Sequence, residues 1–268
     1  MAEQRKLAIF ALSNKGGVGK TMLAKAFTDY LRHENKQAAI FDTDGDVKGL
    51  LKLYGVQGDT ENFINNPMTG VGYFDMQVAD DRENIVNATE AGAEILFFDT
   101  PAGSIRKIFT GLRSAERFVR TFNAEGYEVV LMLLVDPYDD TIDGIQTAID
   151  LFGESVKYVV WKNMAHAERG DFVFFEPKSV LPDAEPMFES PSGEPVSARE
   201  LVETYKGQVF EIPDMPLRTN ARIRRHYLRF REATMPGSPL KPNDRALARD
   251  WLSELDRQFA EMLKVLGA

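Results

Sequence analysis

The chain of 268 residues contains no cysteine. Disulfides, iron–sulfur ligation, thiolate metal sites and thiol nucleophiles are thereby excluded, and the cytoplasm is the expected setting. No apolar run approaches the roughly 18 residues of a membrane-spanning helix, so no membrane insertion is expected. The opening MAEQRKLAIFALSNKGG has an apolar stretch of only six residues and no small-residue cleavage site, and reads as a first strand rather than a signal peptide. Basic charge is in deficit, with 32 Lys and Arg against 41 Asp and Glu, a net charge of −9. Any contact with DNA or anionic lipid must therefore come from a local patch, not from the whole surface.

What is present is a rhythm. Short unbroken apolar runs occur at Leu7–Leu12, Ala38–Phe41, Ile95–Phe98, Val129–Val135, Tyr158–Trp161 and Val209–Ile212. Continuous rather than alternating hydrophobicity is the mark of strands covered on both faces, as in a parallel sheet. Helical patterns separate them, at Lys20–Arg32, Gly111–Glu125, Thr141–Phe152 and Arg245–Leu266. The expectation is one α/β domain over 1–268 with a doubly wound, mainly parallel sheet. Residues 165–208 break the rhythm with prolines at 177, 182, 186, 191 and 195, and read as a partly ordered surface excursion. The last helix places Leu247, Trp251, Leu255, Phe259, Met262 and Leu266 on one stripe, which reads as docking on the core.

Between the first strand and the first helix lies Ser13-Asn14-Lys15-Gly16-Gly17-Val18-Gly19-Lys20-Thr21. It approaches the phosphate-loop pattern G-x-x-x-x-G-K-[ST], with Asn14 in the place of the first glycine and a second lysine, Lys15, just after it. In a strand-turn-helix frame, glycines let backbone N–H groups converge on phosphate oxygens at a helix N-terminus. Lys20 then neutralises the β- and γ-phosphates and Thr21 supplies a hydroxyl to Mg²⁺. A glycine turn with no ligand is the bland alternative. Asp99 ends the strand Ile95–Phe98, where a side chain projects into the ligand crevice, and suits a Walker B carboxylate holding Mg²⁺ through water. Phe41-Asp42-Thr43-Asp44-Gly45-Asp46 closes the second strand with three carboxylates, read either as an acidic turn or as a magnesium and water-positioning segment.

Together K-G-G-V-G-K-T, D-T-D-G-D and D-T-P-A-G resemble the deviant Walker A ATPases of the ParA/MinD group, over roughly residues 5–165. The resemblance implies ATP and Mg²⁺ as cofactors, a phosphate-loop NTPase fold, slow hydrolysis, and a homodimer formed on ATP binding. It implies that Lys15 is the signature lysine reaching the phosphates of the other subunit. It places the nucleotide on Lys15, Gly16, Gly17, Val18, Gly19, Lys20, Thr21 and Met22. The metal falls to Thr21, Asp42 and Asp99, and the attacking water to Asp44. Asn163 is similar to the asparagine that reads the adenine edge, and Pro213 falls where that group lines the base pocket. The first acidic segment departs from the partition members, with Gly45 and Asp46 in place of Pro-Gln and Lys48 near the Asn place. NMAHAERGDF with its Pro-rich sequel is similar to ParA-like proteins encoded beside plasmid transfer and stability genes.

Absences narrow the branch. Nitrogenase-type iron proteins, Fe–S scaffold ATPases and zinc-bearing tail-anchor targeting ATPases all need cysteine. Tyrosine kinases of similar loop chemistry carry a C-terminal tyrosine cluster, and no tyrosine follows Tyr227. MinD itself uses a short basic amphipathic tail, which is not seen. A ParA-like partition or positioning ATPase remains, with a ParB-like or other adaptor as expected partner. A nucleotide-gated adaptor that never touches DNA is the alternative, and an ATP-dependent ligase of the same fold a third. Arg218–Arg231 (RTNARIRRHYLRFR) is a sharp local reversal of charge, holding Arg218, Arg222, Arg224, Arg225, Arg229 and Arg231. Read as one helix, it puts four arginines on one face and buries Ile223, Tyr227 and Phe230 on the other. Its two readings are nonspecific contact with DNA phosphates, which would place the protein on the nucleoid, or pairing with the acidic excursion or a partner protein.

Overall fold

A computed structural model describes residues 5–45, 47–57, 63–108, 114–165 and 167–268. Asp46 and the start of the helix expected at 111–125 lie outside the described residues. In chain order the strands are Lys6–Leu12 (β1), Ala38–Asp42 (β2), Val56–Gln57 (β3), Phe63–Ile64 (β4), Gly72–Tyr73 (β5), Ile95–Asp99 (β6), Tyr127–Val135 (β7), Lys157–Asn163 (β8), Phe188–Glu189 (β9), Pro195–Val196 (β10) and Gln208–Ile212 (β11). The helices are Lys20–His33 (α1), Leu51–Tyr54 (α2), Asn84–Asn87 (α3), Ala115–Ala124 (α4), Asp139–Phe152 (α5), Ala198–Thr204 (α6), Leu217–Arg225 (α7), Phe230–Thr234 (α8) and Pro242–Leu266 (α9).

Seven strands form one sheet in the order β11-β8-β7-β1-β6-β2-β5, with every neighbouring pair parallel. The six apolar runs are its six longer strands. Their continuity follows from two cores: in β1, Leu7, Ile9 and Ala11 face one, and Ala8, Phe10 and Leu12 the other. The first core lies under α1 and α9. There Phe259 packs against Phe27 and Trp161, with ring centroids 4.9 and 5.1 Å apart. On the opposite face Phe10 stacks on Phe98 at 4.5 Å and meets Phe118 of α4. The α9 stripe is buried as expected except Leu247, which is partly exposed.

The excursion is built into the second core rather than lying over it. Phe172 and Phe175 are fully buried, and Leu201 and Val202 of α6 join them. Glu176 fixes it electrostatically: it accepts from Lys162 Nζ at 2.6 Å and from Arg199 at 2.6 and 3.0 Å. The excursion's start is thus tied to the penultimate residue of β8. Ser197 begins α6 with a reciprocal capping box to Glu200.

The arginine segment is not one helix. Its first helix, α7, ends at Arg225, Tyr227 takes a left-handed conformation (φ 51°), and α8 starts at Phe230. Tyr227 is 83% exposed instead of buried. The run has no apolar residue between Ile223 and Tyr227 to keep a continuous stripe on the core. Among the described residues, no helix is long and apolar enough to cross a membrane.

Candidate functional site

The parallel sheet brings the carboxyl ends of β1, β2, β6, β8 and β11 to one edge, where ligands of open α/β sheets bind. A cleft of about 570 Å³ opens there, of a size that suits a small-molecule ligand. The loop between β1 and α1 forms its floor, and Lys15, Gly16, Gly17, Gly19, Lys20, Thr21 and Met22 all line it. Gly17 and Gly19 hold φ of 90° and 92°, which side chains rarely adopt. A Cβ at Gly19 would also stand 2.7 Å from the Asn163 amide nitrogen.

Lys20 is buried and its ammonium donates to Asp99 Oδ1 at 3.0 Å and to the Thr100 carbonyl. The loop lysine and the β6 carboxylate, 79 residues apart in the chain, are therefore in direct contact. Thr100 extends the link, donating from Oγ1 to the Ala11 carbonyl at 2.6 Å. The two lysines of the loop go to different places. Lys15 stands at the cleft mouth, half-exposed, and donates to Asp140 Oδ2 of α5 at 2.7 Å, over the Tyr138 ring. That hydrogen bond, then the charge of Asp140, raises the Lys15 pKa.

Asp42 is wholly buried beside Asp99, its partner in strand register. Its Oδ2 accepts from the backbone N–H groups of Leu50 and Leu51 at 2.9 and 3.0 Å, and its Oδ1 from Asp44 at 3.2 Å. Burial first, and then the charge of Asp99, push its pKa up to about 6. Asp42 thus fastens the segment 44–51 to the sheet. Asp44 lines the cleft and accepts from the Val47 N–H at 3.3 Å. The donor set fits a hard divalent cation beside a polyphosphate, through the Thr21 hydroxyl and the Asp99 carboxylate, whereas both Asp42 oxygens are already engaged. Among the described residues no cluster of three or more acidic or histidine side chains offers a protein-only cage.

At the far end, Asn163 closes the wall. Its Nδ2 donates to the Val18 carbonyl at 2.9 Å and its Oδ1 accepts from the Ala165 N–H at 3.0 Å. Pro213 does not join the lining: its carbonyl accepts the Trp251 indole N–H at 2.8 Å, and Met215 and Leu217 form the wall there. From α7, Asn220 donates to the Met22 sulfur at 3.7 Å, and Arg224 also faces the cleft.

The arginines expected to act as one patch divide. Arg222 pairs with Asp244, Arg231 donates from Nη2 to both carboxylate oxygens of Asp256 at 2.9 Å, and Arg229 pairs with Glu232 at 3.8 Å and donates to the Leu53 carbonyl at 3.1 Å. Their acids come from α8 and α9, not from the excursion, whose Glu176 is taken by Lys162 and Arg199. Arg218, Arg224 and Arg225 remain exposed. Lys25, Asn220 and Phe230 line the cleft without having been expected there. Only Lys25 had a sequence signal, four residues after Thr21 on the same helix face.

A model of the CobQ/CobB/MinD/ParA nucleotide binding domain matches residues 9–223. This chain belongs to that family. The match runs from β1 into α7 and so takes in the loop, Asp42, Asp44, Asp99 and Asn163, and the resemblance read from the loop holds at family level. No curated protein matches the chain. Among solved structures, the family member is similar to the MinD cell division protein of Aquifex aeolicus, at 15% identity over 92% of this chain and 97% of that one, with a TM-score of 0.49. It is also similar to a ParA family ATPase from Chlorobium tepidum, at 12% identity over 92% and 99%, TM-score 0.49. A third is the septum site-determining protein MinD complexed with Mg-ADP from Pyrococcus horikoshii, at 13% identity over 96% and 98%, TM-score 0.45.

Proposed function

We propose that this family member is an ATPase whose ATP-bound form is a homodimer, and whose slow hydrolysis cycles its contact with a cargo, either DNA or a partner protein such as a ParB-like adaptor. The observation that carries the reading is the separation of the two loop lysines. Lys20 sits on Asp99 inside the cleft, while Lys15 is held at the mouth by Asp140. A cation at the mouth that does not turn to its own phosphate loop is suited to the phosphates of a second subunit.

In this reading the amides of Gly16–Thr21 cradle the phosphate chain, and Lys20 leaves Asp99 for the β- and γ-oxygens. Mg²⁺, held by Thr21 and through water by Asp99, would supply neutralisation of the developing charge. Asp44, on the segment fastened by Asp42, orients the attacking water. Asn163 contacts the base. Intrinsic turnover is slow because little chemistry is done by the chain beyond positioning.

Three variants test it. Lys20→Ala should abolish ATP binding in calorimetry. Lys15→Ala should bind ATP yet stay monomeric by light scattering; loss of binding in that variant would contradict the trans role. Asp44→Ala should accumulate an ATP dimer, and rapid phosphate release from it would remove Asp44 from the water-positioning role.

A second reading, an adaptor that never touches DNA, is favoured by the pairing of Arg222, Arg229 and Arg231 within the chain. That leaves few free cations for phosphates. A gel shift on nonspecific duplex with and without ATP decides: a DNA-riding protein shifts only with ATP and with a steep salt slope.

A further inference from the structure

Four cations line the cleft: Lys15, Lys20, Lys25 and Arg224. Lys15 has Asp140 and Lys20 has Asp99 as counter-ion. The side chains of Lys25 and Arg224 have no hydrogen-bond or ion-pair acceptor among the described residues. Arg222, Arg229 and Arg231 of the same segment are paired, whereas Arg218 and Arg225 stand exposed outside the cleft lining; Lys25 and Arg224 are the two cations without such an acceptor that the cleft brings together.

Lys25 is half-buried on α1, one turn beyond Thr21, and helical side chains lean toward the N-terminus, here toward the phosphate loop. Arg224 shares one face of α7 with Asn220, four residues earlier, so this helix turns a polar face into the cleft. Burial first, and then the guanidinium of Arg224, lower the Lys25 pKa; Asp99 and Asp42 pull the other way, and Lys52 adds to the lowering. A cation at the last turn of α7 is favoured by the helix dipole, but nothing of that kind favours a half-buried lysine midway along α1. Two like charges facing one cleft, one of them partly desolvated, are unfavourable until an anion lies between them.

We propose that Lys25 and Arg224 form a second anion subsite of the cleft, which takes a phosphate group not held by the loop around Lys20. The proposal rests on the reading of the cleft as a nucleotide site. The phosphate has two possible sources, the bound nucleotide itself or a separate phosphate compound beside it.

The test measures ADP binding by calorimetry over a salt series for the wild type, Lys25→Met, Arg224→Ala and Arg224→Lys, with exposed Arg120→Ala as control. Inorganic pyrophosphate is then titrated into the ADP-saturated proteins. If the nucleotide supplies the phosphate, Lys25→Met and Arg224→Ala weaken ADP about tenfold and flatten its salt dependence, and Arg224→Lys restores most of the loss. If a separate compound supplies it, ADP affinity stays the same, and the pyrophosphate binding of the wild type disappears in both variants. Unchanged ADP affinity with no variant-sensitive pyrophosphate binding overturns the subsite. Ligand-free Lys25→Met should melt at or above the wild type, since an uncompensated charge has been removed; a lower melting temperature would assign Lys25 a structural role and count against the subsite. Failure of the nucleotide reading looks different: the wild type binds no ADP and Lys20→Ala changes nothing. Pyrophosphate titrated into the ligand-free proteins then tests the subsite alone.

Discussion

Asp42 carries a carboxyl group where water does not reach it. Its folded-state pKa of about 6 lies above its ordinary value of 3.8, so folding favours the protonated form. Between these two values the folded state binds more protons than the unfolded one. The contribution of Asp42 is therefore present below pH about 4, is lost as pH rises toward 6, and is flat above that. The shift corresponds to an upper bound of about 3 kcal/mol. Asp42→Asn removes the titration, so wild-type stability relative to this variant should fall between pH 4 and pH 6 in urea melts. A difference that does not change with pH would show that Asp42 does not titrate in this range. At this scale the loop lysines and Asp99 were legible because the chemistry fixes their spacing and their place after a strand. The fastening role of Asp42 was not, since its partners are backbone N–H groups at Leu50 and Leu51, which any residue supplies. The cleft-lining place of Arg224 was hidden for a related reason: six arginines in fourteen residues look alike until their acidic partners on α8 and α9 are known.

The loop and the helices make sharper demands. Gly19 has both a left-handed backbone and the Asn163 amide against it. Gly19→Ala should weaken nucleotide binding by tenfold or more in calorimetry while the circular dichroism spectrum is retained. Phe259 ties α9 to α1 and the sheet through Phe27, Tyr30 and Trp161, and is fully buried. Phe259→Ala should cost about 3–5 kcal/mol of stability in urea melts, with α9 loosened first in hydrogen exchange. The six long strands were readable because parallel strands between two helical layers are apolar on both faces. The edge strand β5 was not, being two residues long with only one neighbour to cover it. Periodicity likewise suggested one arginine helix, but the three polar residues after Ile223 offer the core nothing to hold, and the chain turns at Tyr227.

Taken whole, the molecule divides its main ion pairs between the excursion and the cleft. Glu176 and Lys162 are buried and Arg199 half-buried where the excursion meets β8, and Glu176→Gln should lower stability by about 2 kcal/mol in urea melts, because Lys162 then keeps only the partly exposed Glu211, at 3.2 Å, as charge partner. The Lys15–Asp140 pair is half-exposed and cheap to break. Asp140→Asn should therefore let the ATP-dependent dimer form at up to about fivefold lower protein concentration in light scattering, if Lys15 is needed by the partner subunit. A weaker dimer would show that Asp140 also serves the assembled state. The excursion was the part of the architecture least readable from sequence, because its prolines advertise a surface loop while Phe172 and Phe175, the residues that anchor it, are too few to make a pattern.

The hydrogen bond from Asn163 to the Val18 carbonyl has a consequence for base choice. It fixes which end of the amide is nitrogen, so the group cannot flip to suit a ligand. One N–H is spent on the loop and one oxygen lone pair on Ala165, which leaves one donor and one acceptor pointing onward. Adenine offers the complementary pair on its N6/N7 edge, whereas guanine offers two acceptors there. If the base lies against Asn163, selectivity between ATP and GTP is set by the polarity of an amide that the phosphate loop itself holds in place before any nucleotide arrives.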